Sequence, residues 1–286
     1  MRGGENGIKA DYYIEVSVLV WYNELSIIRN LKGTMSMEIL EFGDKSKRKI
    51  ILIHGFQCPF QVWNKYIEHY KNDFHIIVPI MPGHNPKLKE DFISFSDTAK
   101  ELEDYLISRY GKNVYAVYGM SMGGVLTATL WQNNRLNIEK VIFDGSPLVS
   151  IKNLVKKMML QFYLNITHKT QQRDKKTLEQ AVNSIITKEN LQSFLQVLDN
   201  MSDNSISNCI NSIAAYKLPT NLDAMQTKIC FFHGTAPNEM LAKKTAKYIS
   251  KYYSNATIIC FKGKAHCENS LFHPEVMIKE LDNLLI

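Results

Sequence analysis

Short apolar runs recur along the chain, separated by longer stretches whose apolar positions return every three or four residues. The runs are Ile50 to Ile53, His75 to Pro79, Val114 to Tyr118, Lys140 to Asp144, Ile229 to Phe232 and Thr257 to Phe261. A continuous stretch such as Ile50-Ile51-Leu52-Ile53 has no polar face, which a parallel strand covered on both sides requires. Between them the spacing predicts helices. Pro59 to Tyr70 sets Phe60, Trp63 and Ile67 on one face, and a helix capped by Ser96 and ended at Gly111 presents Ala99, Leu102 and Leu106. Gly124 to Trp131 is apolar almost throughout, as a central buried helix would be. Met240 to Tyr252 and a closing helix from Pro274, with Met277, Ile278, Leu281, Leu284 and Leu285 inward, complete the alternation.

The alternation stops from Ser146 to about Pro219. Four amphipathic helices replace it there, with stripes at Ile151, Leu154, Val155, Met158, Met159 and Phe162, at Leu178, Ala181, Val182, Ile185 and Ile186, at Leu191, Phe194, Leu195 and Leu198, and at Ile206, Cys209, Ile210, Ile213 and Ala214. Strands alternating with helices predict a mostly parallel central sheet flanked by helices. The insertion predicts a helical cap over residues 147–219, set on a core of 37–146 and 220–286, with Thr167 to Lys176 as a mobile loop of its gate. Residues 1–36 admit two readings. Ile14, Val16, Val18 and Val20 alternate like a half-buried strand, so the segment is either a first strand pair of the sheet or an accessory extension.

Composition narrows the class. The chain has 286 residues, 45% hydrophobic and 22% charged, which fits one large globular core and excludes a disordered chain. The net charge is +6, from 34 basic and 28 acidic residues, but the basic residues are scattered and form no nucleic-acid stripe. The five cysteines have no C-x-x-C spacing, so a reducing, cytoplasmic setting is expected, with Cys230 and Cys260 in the core and Cys267 a bystander. No secretory leader is expected in Met1 to Asp11, which lack an apolar core. No membrane span is expected in Tyr12 to Ile28, which include Glu15, Asn23 and Glu24.

The chemistry is concentrated at Gly119-Met120-Ser121-Met122-Gly123, between a predicted strand and a predicted helix. A serine hydroxyl is a weak nucleophile until it is held clear of the backbone beside a base and beside amide donors. A sharp strand-to-helix turn does this, with glycines leaving room for neighbouring elements. His266 follows the last predicted strand and Gly263, in Lys262-Gly263-Lys264-Ala265-His266, and suits the base.

In this motif and its setting the sequence resembles the α/β-hydrolase fold family, particularly serine esterases and monoacylglycerol-lipase-like enzymes of G-x-S-M-G-G type, over most of residues 37–286. The resemblance implies an α/β-hydrolase fold and a Ser121, acid, His266 triad in that chain order. It implies that His54-Gly55-Phe56 is the oxyanion loop, with the Phe56 and Met122 N–H groups as donors and His54 organising the loop. Met81-Pro82-Gly83-His84-Asn85-Pro86 is similar to a family loop in which His84 is structural rather than a metal ligand. The acid has two candidates: Glu239, if the loop after His233-Gly234 is two residues longer than usual, or Asp144 at the end of the preceding strand. The implied activity is hydrolysis of a small-molecule carboxylic ester through an acyl-enzyme, without metal or organic cofactor, nucleic acid or stable membrane insertion. Amidase, peptidase or carbon–carbon hydrolase chemistry, and a non-catalytic ligand-binding member of the fold, remain as alternatives.

Overall fold

A computed structural model describes residues 37–222 and 226–286; the expectations for residues 1–36 lie outside them. The strands are β1 (Glu38–Phe42), β2 (Lys49–Ile53), β3 (His75–Ile80), β4 (Asn113–Met120), β5 (Asn137–Asp144), β6 (Lys228–Gly234) and β7 (Thr257–Phe261). They pair as one sheet in the order β1-β3-β2-β4-β5-β6-β7. β1 runs antiparallel to β3, and every other pairing is parallel. The residues that demand this are the ones the pattern exposed: Ile51, Ile53, Val117, Val141, Phe143 and Phe231 are fully buried. Cys260 is the exception. It lies on the edge strand β7 and is exposed, so the expectation of a core thiol fails there.

Helices cover both faces, as parallel connections require. They are α1 (Asn64–Tyr70), α2 (Phe95–Tyr110), α3 (Met122–Asn133), α8 (Met240–Tyr252), the short α9 (Glu268–Phe272) and α10 (Pro274–Leu285), with α4 to α7 between β5 and β6. The predicted helix over Pro59 to Tyr70 is divided, with a 3₁₀ turn over Phe60–Trp63 before α1. The cap of α2 is Ser94, not Ser96: its hydroxyl accepts from the Asp97 N–H and donates to the Asp97 carboxylate. Residues Met122 to Trp131 of α3 are all buried, so the central helix is apolar on every side for a physical reason.

The insertion contains α4 (Asn153–Gln171), α5 (Lys175–Ser184), α6 (Leu191–Asn200) and α7 (Asp203–Ala215). Phe194, Leu198, Ile206 and Ile210 of its stripes are buried, and its two ends are drawn together where Ile151 N–H donates to Ala214 C=O and Leu218 N–H to Leu148 C=O. The loop expected from Thr167 to Lys176 is not there. α4 continues to Gln171, Thr167 and Thr170 are buried, and only Gln172 to Asp174 separate it from α5. Asp174 then caps α5 by accepting from Thr177 N–H. Among the described residues no helix is long and apolar enough to cross a membrane.

Candidate active site

In a parallel sheet the carboxyl ends of the strands all open on one edge, and a crevice forms where the strand order reverses. Here β2 connects to β3 on one side and β4 lies on the other, so the reversal falls beside β4. Ser121 stands immediately beyond β4, at φ 51° and ψ −114°, a conformation a side chain rarely adopts. Its N–H donates to Asp144 C=O at 2.7 Å, which pins the turn to the end of β5. The flanking glycines are required by close approach. A Cβ at Gly119 would collide with the Gly123 carbonyl and Thr127, and one at Gly123 with the Ile53 and His54 carbonyls. The N–H of Met122 is at the first position of α3, where no intrahelical acceptor exists.

His266 reaches the same edge from the turn after β7. That turn is fastened to the turn after β6 by Thr235 and Ala236 N–H groups donating to Lys264 C=O, and by Gly263 N–H donating to Thr235 Oγ1. Asn238 Oδ1 accepts from the His266 N–H. The imidazole is bracketed: Nε2 is 2.9 Å from Ser121 Oγ, and Nδ1 is 2.5 Å from Glu239 Oε1. Glu239 is fully buried, and its second oxygen accepts from Gly234 N–H at 2.6 Å. Each carboxylate oxygen therefore has one assigned donor, which fixes the side chain and through it the ring. Beneath the ring, Gly145 has φ 62°, and a Cβ there would come within 2.8 Å of His266 Cε1.

The third wall is the turn after β2. A Cβ on Gly55 would lie 3.5 Å from Ser121 Cβ, so this turn passes directly beside the hydroxyl-bearing residue. Phe56 N–H has no acceptor among the described residues. The turn is held from below by two buried histidines. His54 Nε2 accepts from Met81 N–H, and His84 Nε2 accepts from Gln57 N–H. Burial brings His54 down to about 4 and His84 well below its ordinary value, which keeps both rings neutral and able to accept. Cys58 and Cys267, also nearby, are buried thiols; burial pushes Cys58 up to about 12 and Cys267 far above its usual range, which disfavours the thiolate at both.

Asp144 does not bind the imidazole Nδ1. Its carboxylate accepts from Ser270 Oγ at 2.5 Å and lies 3.5 Å from Tyr118 OH, which itself meets Ser270 Oγ at 2.8 Å. Burial raises its pKa to about 6, against the pull of the Ser270 hydroxyl and of His266. Nearby Glu239 adds to the rise. Among the described residues no group of three or more His, Cys, Asp or Glu side chains is arranged to hold a metal ion.

No family model matches the chain. Solved structures match it closely in shape. A Desulfitobacterium hafniense protein assigned to the α/β-hydrolase family superposes with a TM-score of 0.68 at 17% identity, covering 87% of this chain and 100% of its own. A carboxylesterase of the ammonia-oxidizing Nitrososphaera gargenis gives 0.69 at 16%, over 87% and 93% of the two chains. The fold is that of the α/β hydrolases. In sequence, the chain is similar to the pimeloyl-(acyl-carrier protein) methyl ester esterase of Legionella pneumophila (strain Corby), at 21% identity over 241 residues, 82% of this chain and 94% of that one.

Within this α/β-hydrolase fold the structure brings together Ser121, His266 and Glu239, with the Phe56 and Met122 amides on the same edge, and leaves Asp144 in a separate buried hydrogen-bonded group. Sequence reasoning passed over Gln57, Thr167, Ser270 and Asn238. The hydrogen bonds Gln57–Thr167, Asn238–His266 and Ser270–Asp144 span 110, 28 and 126 residues of the chain, so no local pattern marks them.

Proposed function

We propose that the chain is a serine hydrolase that cleaves a carboxylic ester or related acyl bond through an acyl-enzyme. The observation that carries this reading is the imidazole of His266, hydrogen-bonded at one nitrogen to Ser121 Oγ and at the other to the buried Glu239. Ser121 Oγ attacks the ester carbonyl while His266 Nε2 takes its proton. Glu239 holds the ring by Nδ1 and stabilises the imidazolium that results. Negative charge gathers on the former carbonyl oxygen, toward which the Phe56 and Met122 N–H groups and the amino end of α3 are directed in this reading. The imidazolium then protonates the departing alcohol. A water deprotonated by the same imidazole attacks the acyl-enzyme, and collapse releases the acid and restores Ser121.

Residues 147–219 act in this reading as a cap. The helices α4 to α7 depart from the carboxyl end of β5, the edge that bears Ser121, and Tyr163 of α4 packs edge-on against Phe56 with ring centroids 4.9 Å apart. Leu154, Met158 and Phe162 leave an apolar stripe exposed on the same helix. That suits small to medium acyl esters, including monoacylglycerols, and the ester-cleaving Legionella relative belongs to the same chemical class. The free cysteines fit a cytoplasmic setting.

The test is hydrolysis of p-nitrophenyl esters of increasing acyl length by wild type, Ser121→Ala, Glu239→Gln and Asp144→Asn. Activity should vanish in Ser121→Ala and fall far more in Glu239→Gln than in Asp144→Asn. Wild-type activity that survives in Ser121→Ala would overturn the nucleophile, and a larger loss in Asp144→Asn would transfer the acid role to Asp144.

A further inference from the structure

The turn that carries Phe56 is not held by the sheet alone. Gln57, the next residue, has φ 61°, a left-handed conformation unfavourable for a side chain of its size, and is 4% exposed. Two short hydrogen bonds hold it there, with a longer one from its side-chain Nε2 to Met201 Sδ at 3.9 Å. Its N–H donates to His84 Nε2 at 3.1 Å, and its side-chain Nε2 donates to Thr167 Oγ1 at 2.6 Å, across 110 residues, on the first helix of the insertion. Thr167 is itself fully buried and oriented, because its hydroxyl donates to Tyr163 C=O one turn earlier. One turn of α4 thus grips the oxyanion-side turn twice: Tyr163 against the Phe56 ring, and Thr167 on the Gln57 amide.

We infer that Gln57 and Thr167 form a latch through which α4 holds the Phe56 N–H in its working position, so that catalytic competence depends on the insertion being seated. Thr167, fully buried behind the turn, is in this reading a positioning residue. The inference rests on the reading of Phe56 N–H as an oxyanion donor. Its physical basis is that a strained turn persists only where its surroundings over-determine it. Removing the Thr167 hydroxyl leaves the buried Gln57 amide with the weak, distant Met201 Sδ for an acceptor and frees Gln57 to relax, which re-aims the adjacent peptide groups. Such a displacement acts on the developing oxyanion, present in the transition state and not in the bound ester, so the loss belongs in kcat rather than KM.

The experiment compares wild type, Thr167→Val, Thr167→Ser, Gln57→Met and the double variant Gln57→Met/Thr167→Val on p-nitrophenyl butyrate, with a thermal melt of each to establish folding. Thr167→Val preserves the shape and removes the hydroxyl; Gln57→Met breaks the same bond from the other end. The latch predicts that kcat falls by about 10- to 100-fold in either single variant, the scale of a small misplacement at a reacting centre. KM should stay within about twofold, Thr167→Ser should recover most of the rate, and the double variant should be no slower than the worse single one. An active wild type whose two single variants turn over normally, or whose losses multiply in the double variant, would overturn the latch alone. A loss in KM with kcat intact would do the same. Wild-type protein inert toward the ester and toward a fluorophosphonate would instead overturn the hydrolase reading on which the latch rests.

Discussion

Replacing Asp144 by asparagine should move the stability difference from wild type progressively in the variant's favour as pH rises. In the unfolded chain this carboxyl ionises near 3.8, whereas burial holds it protonated in the folded protein up to about 6. Between those values the folded state binds more protons than the unfolded state, so stability falls as pH increases. The rise from 3.8 to about 6 corresponds to about 3 kcal/mol of lost stability once both states are ionised, of which about 2 kcal/mol accrues between pH 4.5 and 8. Asparagine is neutral throughout and lacks this dependence. Exchanging the neutral acid for a neutral amide also alters the hydrogen bonds with Ser270 and Tyr118, which offsets the variant's stability by a fixed amount without altering the slope. Thermal melts of both proteins at half-unit intervals from pH 4.5 to 8 read the difference directly. A change of about 2 kcal/mol in a protein of this size shifts Tm by about 4 to 8 °C. The gap between variant and wild type should therefore move by that much in the variant's favour across the range. Parallel curves, or a gap moving the other way, would refute the assignment of a buried, proton-holding carboxyl beneath the sheet edge.

Glu239→Gln retains the shape of the side chain but not its charge, and should lower kcat by up to about 10⁴-fold with the protein still folded, as loss of the triad acid does elsewhere; steady-state kinetics with a melting control checks it. Gly123→Ala places a methyl against the Ile53 and His54 carbonyls, where neither backbone can yield, and soluble folded protein should be lost on expression. Ser94→Ala removes the acceptor of the Asp97 N–H at the start of α2 and should cost about 1 kcal/mol in urea unfolding while leaving ester hydrolysis unchanged.

Where burial is two-sided, as in β2, β4, β5 and β6, the residues needed to fill the strand are legible without any partner, and the strand positions followed from them. The edge strand β7 was legible in position but not in burial, because nothing local tells Cys260 that its strand lies at the edge of the sheet with a neighbour on one side only. The helix Thr167 to Gln171 was hidden for a related reason. Its polar sequence reads as loop, whereas Thr167 and Thr170 are buried, and the Thr167 hydroxyl serves Gln57 and Tyr163 through hydrogen bonds that no local pattern marks. Ser94 was overlooked for Ser96, although Ser94 with Asp97 three residues later is the pattern of a reciprocal cap. At the candidate site, the residues on strand ends were readable because the turn chemistry of Gly119 to Gly123 and of Gly263 fixes them locally. The choice between Glu239 and Asp144 was not, since it depends on which carboxylate meets Nδ1 after the two loops have been fastened to each other at Lys264 C=O.

The central claim is that Ser121 forms a covalent bond to the acyl group of its substrate, and trapping that bond tests it most directly. Intact-mass measurement after incubation with a fluorophosphonate, followed by peptide mapping, should find a single phosphonyl group on Ser121 that is absent from Ser121→Ala. Wild-type protein that hydrolyses esters yet carries no such adduct, or carries it on another residue, would contradict the account.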